Sequence, residues 1–219
     1  MTTLVDVRTA RRMTRALFIL GAVALPATAL TAQVGTRGYL GTLTYATALP
    51  TGDSKDFADD YSWLGFTLEG DWFLRPNMST GFIIGWQEIY KEQDGDSFDF
   101  DNGTATGRTY RHLMAVPLLV RGRYWIGEPG RSALLPFVGA GVGTYWMKQT
   151  LDFGILTADE DHWHFGLAPE VGVLMATRGG VAWTLNARYN YPFETGDYLN
   201  GQKASWAYWG FAIGLGFAR

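Results

Sequence analysis

Cysteine is absent from the 219 residues, which removes disulfide scaffolds and thiolate metal sites from consideration. Charge is scarce: 18% of residues carry it, against roughly 25% in an average soluble domain. Basic residues do not outnumber acids, at 18 against 21, so nothing points to nucleic acid. Histidine occurs three times. Beyond the N-terminal region no apolar run approaches the roughly 20 residues that a spanning helix needs. If the mature chain enters a membrane, it does not do so as a helix.

What the chain has in quantity is glycine, 28 residues, and aromatics, 15% of the total. The N-terminus is a separate object. Arg8, Arg11, Arg12 and Arg15 precede an apolar run from Ala16 to Leu25, followed by Pro26 and ATALTAQ. A basic region, an apolar segment and a small-residue cleavage site make a secretory signal peptide. Cleavage is expected after Ala29 or Ala32, and translation may be counted from Met1 or Met13. We place the signal at 1–32 and the mature domain at 33–219. Removing the signal lowers the basic count from 18 to 14 and the acidic count from 21 to 20.

Alternation with period two recurs along the mature chain and predicts eight strands. They lie near 36–48, 62–74, 78–91, 109–126, 134–148, 162–176, 181–193 and 204–218. The connections alternate in length. LPTGDSKDFADDY is long, RPN short, EQDGDSFDFDNGTATG long, GEPGRSA short, QTLDFGILTADED long, TRGG short and ETGDYLNGQK long. With antiparallel neighbours, all long connections fall at one end. Outer-membrane barrels show this asymmetry. The predicted fold is therefore an all-β, eight-stranded, antiparallel up-and-down transmembrane barrel.

Parity sorts each strand into two faces. The closing WGFAIGLGFAR sets Trp209, Phe211, Ile213, Leu215 and Phe217 against Gly210, Ala212, Gly214, Gly216 and Ala218. Strands two, four, six and seven carry a similar greasy face, backed by Glu69 and Asp71, Arg121 and Arg123, Glu170, and Arg188. Strand one is uneven, and Glu88 falls on the greasy face near its loop end. A surface strand gains nothing from several glycines on its water face. Inside an eight-stranded barrel, where side chains just fill the space, bare positions make room for long ones. The expectation is lipid on the greasy side and a packed polar lumen on the other. Glu69, Asp71, Arg121, Arg123, Glu170 and Arg188 would form a structural charge network there, since three acids and three bases balance in an enclosed site.

The greasy-face aromatics fall in two bands. Trp86, Tyr90, Trp146, Trp163, Tyr189, Tyr191 and Trp209 lie near the loop end, and Trp72, Tyr124, Trp183 and Phe217 near the turn end. These are the belts expected at two lipid–water interfaces. With ALPTGD, LEGDWFLRPNMSTGFIIGW, PFVGAGVGTYW, HFGLAPEVGV and GFAIGLGF, the chain after the signal resembles the small bacterial outer-membrane β-barrels of the OmpA/OmpX-like group. The resemblance implies residence in the bacterial outer membrane, closure by pairing of first and last strands, and insertion by the outer-membrane assembly machinery, which reads a final strand ending in an aromatic. Phe217 is here followed by Ala218 and Arg219.

Candidate chemistry is thin. His162 and His164 share one strand face beside Asp159, Glu160 and Asp161, which would suit a transition metal, but a solvated loop–strand junction accounts for them equally simply. Some barrels of this size are lipid A deacylases or acyltransferases. The residues two positions after His112, His162 and His164 are Met114, His164 and Gly166, so the local His–x–Ser pattern of the deacylases is missing. Fifteen of the twenty mature acids sit in the long connections, among them Asp53, Asp56, Asp59, Asp60, Glu92, Asp94, Asp96, Asp99, Asp101 and Asp197. Lys55 and Lys203 oppose them there, and the short turns carry Arg75, Arg131 and Arg178. The reading is a non-enzymatic, monomeric envelope protein with acidic external loops. It needs no catalytic residue, metal or cofactor, has no identified ligand site, and meets outer-membrane lipids and lipopolysaccharide. A lipid-modifying enzyme and a soluble lipocalin-like barrel with reversed faces are the alternatives.

Overall fold

The structure is a computed structural model that describes residues 38–100, 103–127, 132–153, 156–177, 180–194 and 204–218. The signal segment 1–32 lies outside the described residues, as do Asp101, Arg131, Arg178, Asp197 and Lys203. Eight strands follow in order: β1 (Tyr39–Pro50), β2 (Leu64–Arg75), β3 (Met78–Phe100), β4 (Gly103–Trp125), β5 (Leu134–Phe153), β6 (Leu156–Ala176), β7 (Val181–Pro192) and β8 (Tyr208–Ala218). Each pairs antiparallel with the next, and the sheet closes on itself. The β1–β8 seam runs without interruption from Leu40 opposite Ala218 to Pro50 opposite Tyr208. A single short helix, α1 (Asp53–Phe57), follows β1.

Strand length departs from the sequence reading. The third and fifth connections are not long loops. β3 and β4 continue through EQDGDSFDF and GTATGR, and β5 and β6 run to Phe153 and from Leu156. Residues 91–100 remain paired with 103–111, with one bulge between Asp94 and Asp96. Apolar alternation fades there in the sequence, while the backbone ladder persists. The barrel thus carries a four-stranded wall, β3–β6, above a lower rim formed by β1, β2, β7 and β8. Residues 204–207, expected as strand, precede β8 and serve the rim instead.

The ladder skips two places. Pairing between β3 and β4 passes from Ile84–Leu118 to Gln87–Ala115, beside Pro117, and that between β6 and β7 passes from Leu167–Tyr191 to Glu170–Arg188, beside Pro169. Proline brings no N–H to a ladder. At the turn end, Gly180 adopts φ +88°, where a side chain would be strained.

Orientation follows from exposure. Phe165 and Val171 on β6 are each 54% exposed, whereas Glu170 between them is 3% exposed. Leu185, Ile213 and Phe217 also face outward, and Glu69 and Asp71 are fully enclosed. A barrel greasy outside and ionic inside is a transmembrane barrel; a lipocalin-like domain has the reverse arrangement. Phe217 and Trp209 lie eight positions apart on β8. At about 3.3 Å per residue and a tilt near 40°, their belts are about 20 Å apart, close to the height of an outer-membrane apolar band.

Candidate functional site

The lumen is built in three layers. Its middle layer is ionic and brings together all six charged residues picked out by parity. Asp71 and Glu69 come from β2, Arg121 and Arg123 from β4, Glu170 from β6 and Arg188 from β7. Arg121 places Nη2 2.5 Å from Asp71 Oδ2 and Nε 3.2 Å from Oδ1, while its Nη1 lies 2.6 Å from Glu69 Oε2. Arg123 donates from Nε to Glu170 Oε1 at 2.6 Å, from Nη1 to Asp71 Oδ2 at 2.9 Å and from Nη2 to Glu69 Oε2 at 3.0 Å. Arg188 Nη2 bridges Glu69 Oε1 at 2.5 Å and Glu170 Oε2 at 2.9 Å. Thr67 donates to Glu69 at 3.0 Å, and Ser79 to Asp71 at 3.2 Å. Charges taken from water are tolerable when paired and fully hydrogen-bonded.

Glycines on the intervening strands make these reaches possible. Asp71 is opposite Gly81 on β3, and Gly81 is opposite Arg121 on β4. Arg123 is opposite Gly139 on β5, and Gly139 is opposite Glu170 on β6. Each guanidinium crosses a strand whose inward side chain is missing. A Cβ on Gly139 would stand 2.9 Å from Arg123 Cγ and 3.2 Å from Glu170 Oε1.

The expectation of a polar lumen holds for this middle layer and fails at both ends. Toward the tight turns, Leu40, Phe73, Trp125, Leu135, Phe137, Leu174 and Ala182 form an apolar plug. Arg123 lies over the Phe137 ring at 4.1 Å, so the plug also takes up the cation face. Toward the loops, Ile83, Ile89, Leu113, Leu119, Tyr145, Met147 and Tyr208 form a second apolar layer. Phe73, Trp125 and Phe137 share parity with Asp71, Arg123 and Gly139, so the signal was present in DWF, RYW and PFVG. It also explains strand one. Its inward face runs Leu40, Thr42, Thr44, Ala46, Ala48 and passes through all three layers.

A lid closes the loop end. Phe57 of α1 meets Trp206 edge-on at 5.7 Å. Asp53 Oδ2 accepts from Ser205 N at 2.7 Å, and Thr51 N donates to Ala207 O at 3.0 Å. Lys91 pairs with Asp59 at 3.0 Å, and that hydrogen bond is the main cause that holds the Asp59 carboxyl below its usual range.

Outside the barrel, within and just above the upper aromatic belt, charged side chains appear on the greasy face. His112 pairs with Glu88 at 3.0 Å, Lys148 with Asp159 at 2.7 Å, and Trp146 Nε1 donates to Asp161 at 2.9 Å. They mark the upper interface. His162 and His164 do share the inward face: His162 Nε2 lies 3.5 Å from Glu160 Oε1, and His164 Nδ1 lies 2.8 Å from the Phe193 carbonyl. Among the described residues no group of three or more His, Asp or Glu side chains is arranged to hold a metal.

No protein-family model matches the sequence, and no curated protein matches it. Solved structures do match. The outer-membrane protein OprG from Pseudomonas aeruginosa is 15% identical over 84% of this chain and 96% of its own, with a TM-score of 0.51. This is the fold of the small outer-membrane barrels. The N-terminal β-barrel domain of Pseudomonas aeruginosa OprF (14% identical, 84% of this chain and 98% of that one, TM-score 0.46) and Ail of Yersinia pestis (11%, 84% and 100%, TM-score 0.48) also match. The barrel seen here combines that fold with an ionic layer held between two apolar ones.

Proposed function

We propose that the chain is a non-enzymatic integral outer-membrane protein whose barrel is a closed structural unit and whose function lies at its outer surface. The observation that carries this reading is the stacking of the ionic layer between two apolar layers, with Trp125 below and Trp206 above, which argues against a continuous aqueous path. Eight strands leave an interior that side chains can fill. The serine hydroxyls of Ser62, Ser79 and Ser205 donate to Glu88 O, Asp71 Oδ1 and Pro192 O, which supports structural rather than nucleophilic work for them. The acids of the lid and wall, with Asp53, Asp56, Asp59, Asp152, Asp159 and Asp161 among them, favour contact with lipopolysaccharide through shared divalent cations. During biogenesis the assembly machinery is the expected partner, and the inserted protein is a monomer.

Three measurements test this. Protein refolded in detergent should migrate faster unboiled than boiled, and in planar bilayers should give no stable open-channel steps. Lipid A in vesicles carrying the protein should keep its acyl-chain mass. Step currents of porin size, or lipid A that loses or gains an acyl chain, would overturn the reading.

A further inference from the structure

The inward faces of β7 and β8 are mismatched. β7 presents Thr184, Asn186, Arg188 and Asn190, all buried, and their register partners on β8 are Gly214, Ala212, Gly210 and Tyr208. A polar column therefore stands beside a nearly bare one. A cavity of about 20 Å³ lies beside Arg188, lined by Thr67, Gln87, Asn186, Arg188, Asn190 and Tyr208 with small residues that include Gly210 and Ala212. Such a volume exceeds the roughly 10–15 Å³ that one water requires.

Asn186 is 4% exposed, and its Nδ2 is buried without a hydrogen-bond partner. An amide donor left unpaired away from water is destabilising, which favours an occupant with an acceptor atom. We propose that this cavity binds a single ordered water that accepts from Asn186 Nδ2 and joins the polar tips of β7 to Thr67, Gln87 and Tyr208. Charge selects water over an anion. Glu69, Asp71 and Glu170 already balance Arg121, Arg123 and Arg188, so an added chloride would leave one uncompensated charge in a low-dielectric interior. At about 20 Å³ the cavity holds one water and not a chain of them.

The test is water-to-amide magnetisation transfer by NMR on isotope-labelled protein refolded in lipid nanodiscs. It is recorded also in Tyr208→Phe, so that exchange at the phenol does not relay the signal. The expected result is a cross-peak between the Asn186 side-chain amide and water with the sign of a slowly tumbling partner. It should persist in Tyr208→Phe and vanish in Ala212→Val, whose methyls fill the cavity. Should Ala212→Val fail the gel-shift check, Gly210→Ala supplies a smaller filling group, since its Cβ would stand 3.2 Å from Asn190 Nδ2. Absence of the cross-peak in the native chain, or its persistence in the filled variant, would overturn the proposal. So would an anomalous bromide peak beside Asn186 in crystals grown with bromide, which would make the site an anion site.

Discussion

Arg121 and Asp71 meet as a two-point fork across an intervening strand, with Nη2–Oδ2 at 2.5 Å and Nε–Oδ1 at 3.2 Å. Both side chains are fully enclosed. A planar guanidinium matches a carboxylate in this way, and an ammonium does not.

Removing that fork strands Asp71 and part of Glu69 in the lumen. Arg121→Ala is therefore expected to destabilise the barrel by about 3–5 kcal/mol, read from urea unfolding in phospholipid vesicles by tryptophan fluorescence. Arg121→Lys should recover only part of the loss, because it keeps the charge without the paired geometry.

The glycine on the strand between Arg123 and Glu170 should be as demanding as the charges. A Cβ at Gly139 would also stand 2.7 Å from Gly122 O. Gly139→Val is expected to cost about 1–3 kcal/mol by overpacking, in the same unfolding assay, with Gly139→Ala smaller in the same direction.

Leu185 faces outward between the two aromatic belts and is 49% exposed. Leu185→Arg at this depth should cost about 2–4 kcal/mol. Thr150→Arg, on the wall above the belt, should change stability by no more than about 0.5 kcal/mol. Equal penalties at the two positions would contradict the assigned membrane height.

Trp206 caps the loop end, but two layers lie beneath it. Trp206→Ala should lower stability by about 3–5 kcal/mol and still give no open-channel current in planar bilayers. Conduction in this variant would mean that Arg123 and Trp125 do not seal the lumen.

Parity made much of this legible in the sequence. Glu69, Asp71, Arg121, Arg123, Glu170 and Arg188 share an inward face because a strand has period two, and nothing more is needed to place them there. Their pairing was not legible, because it depends on stagger: Arg121 reaches Asp71 only because Gly81 stands between them in register. The wall was missed because apolar alternation reports lipid contact, whereas DGDSFDF carries no such alternation although its backbone stays paired. The apolar plug was missed because Trp125 and Phe137 look like belt residues until their parity is set against Arg123 and Gly139.

The ionic layer has a further consequence for biogenesis. Split the molecule between β4 and β5, and Glu69 with Asp71 offsets Arg121 with Arg123 in the first half, while Glu170 offsets Arg188 in the second. Each half-sheet is therefore neutral on its concave side. Arg123 to Glu170 and Arg188 to Glu69 join one half to the other, so the network completes only as the two halves close into a barrel.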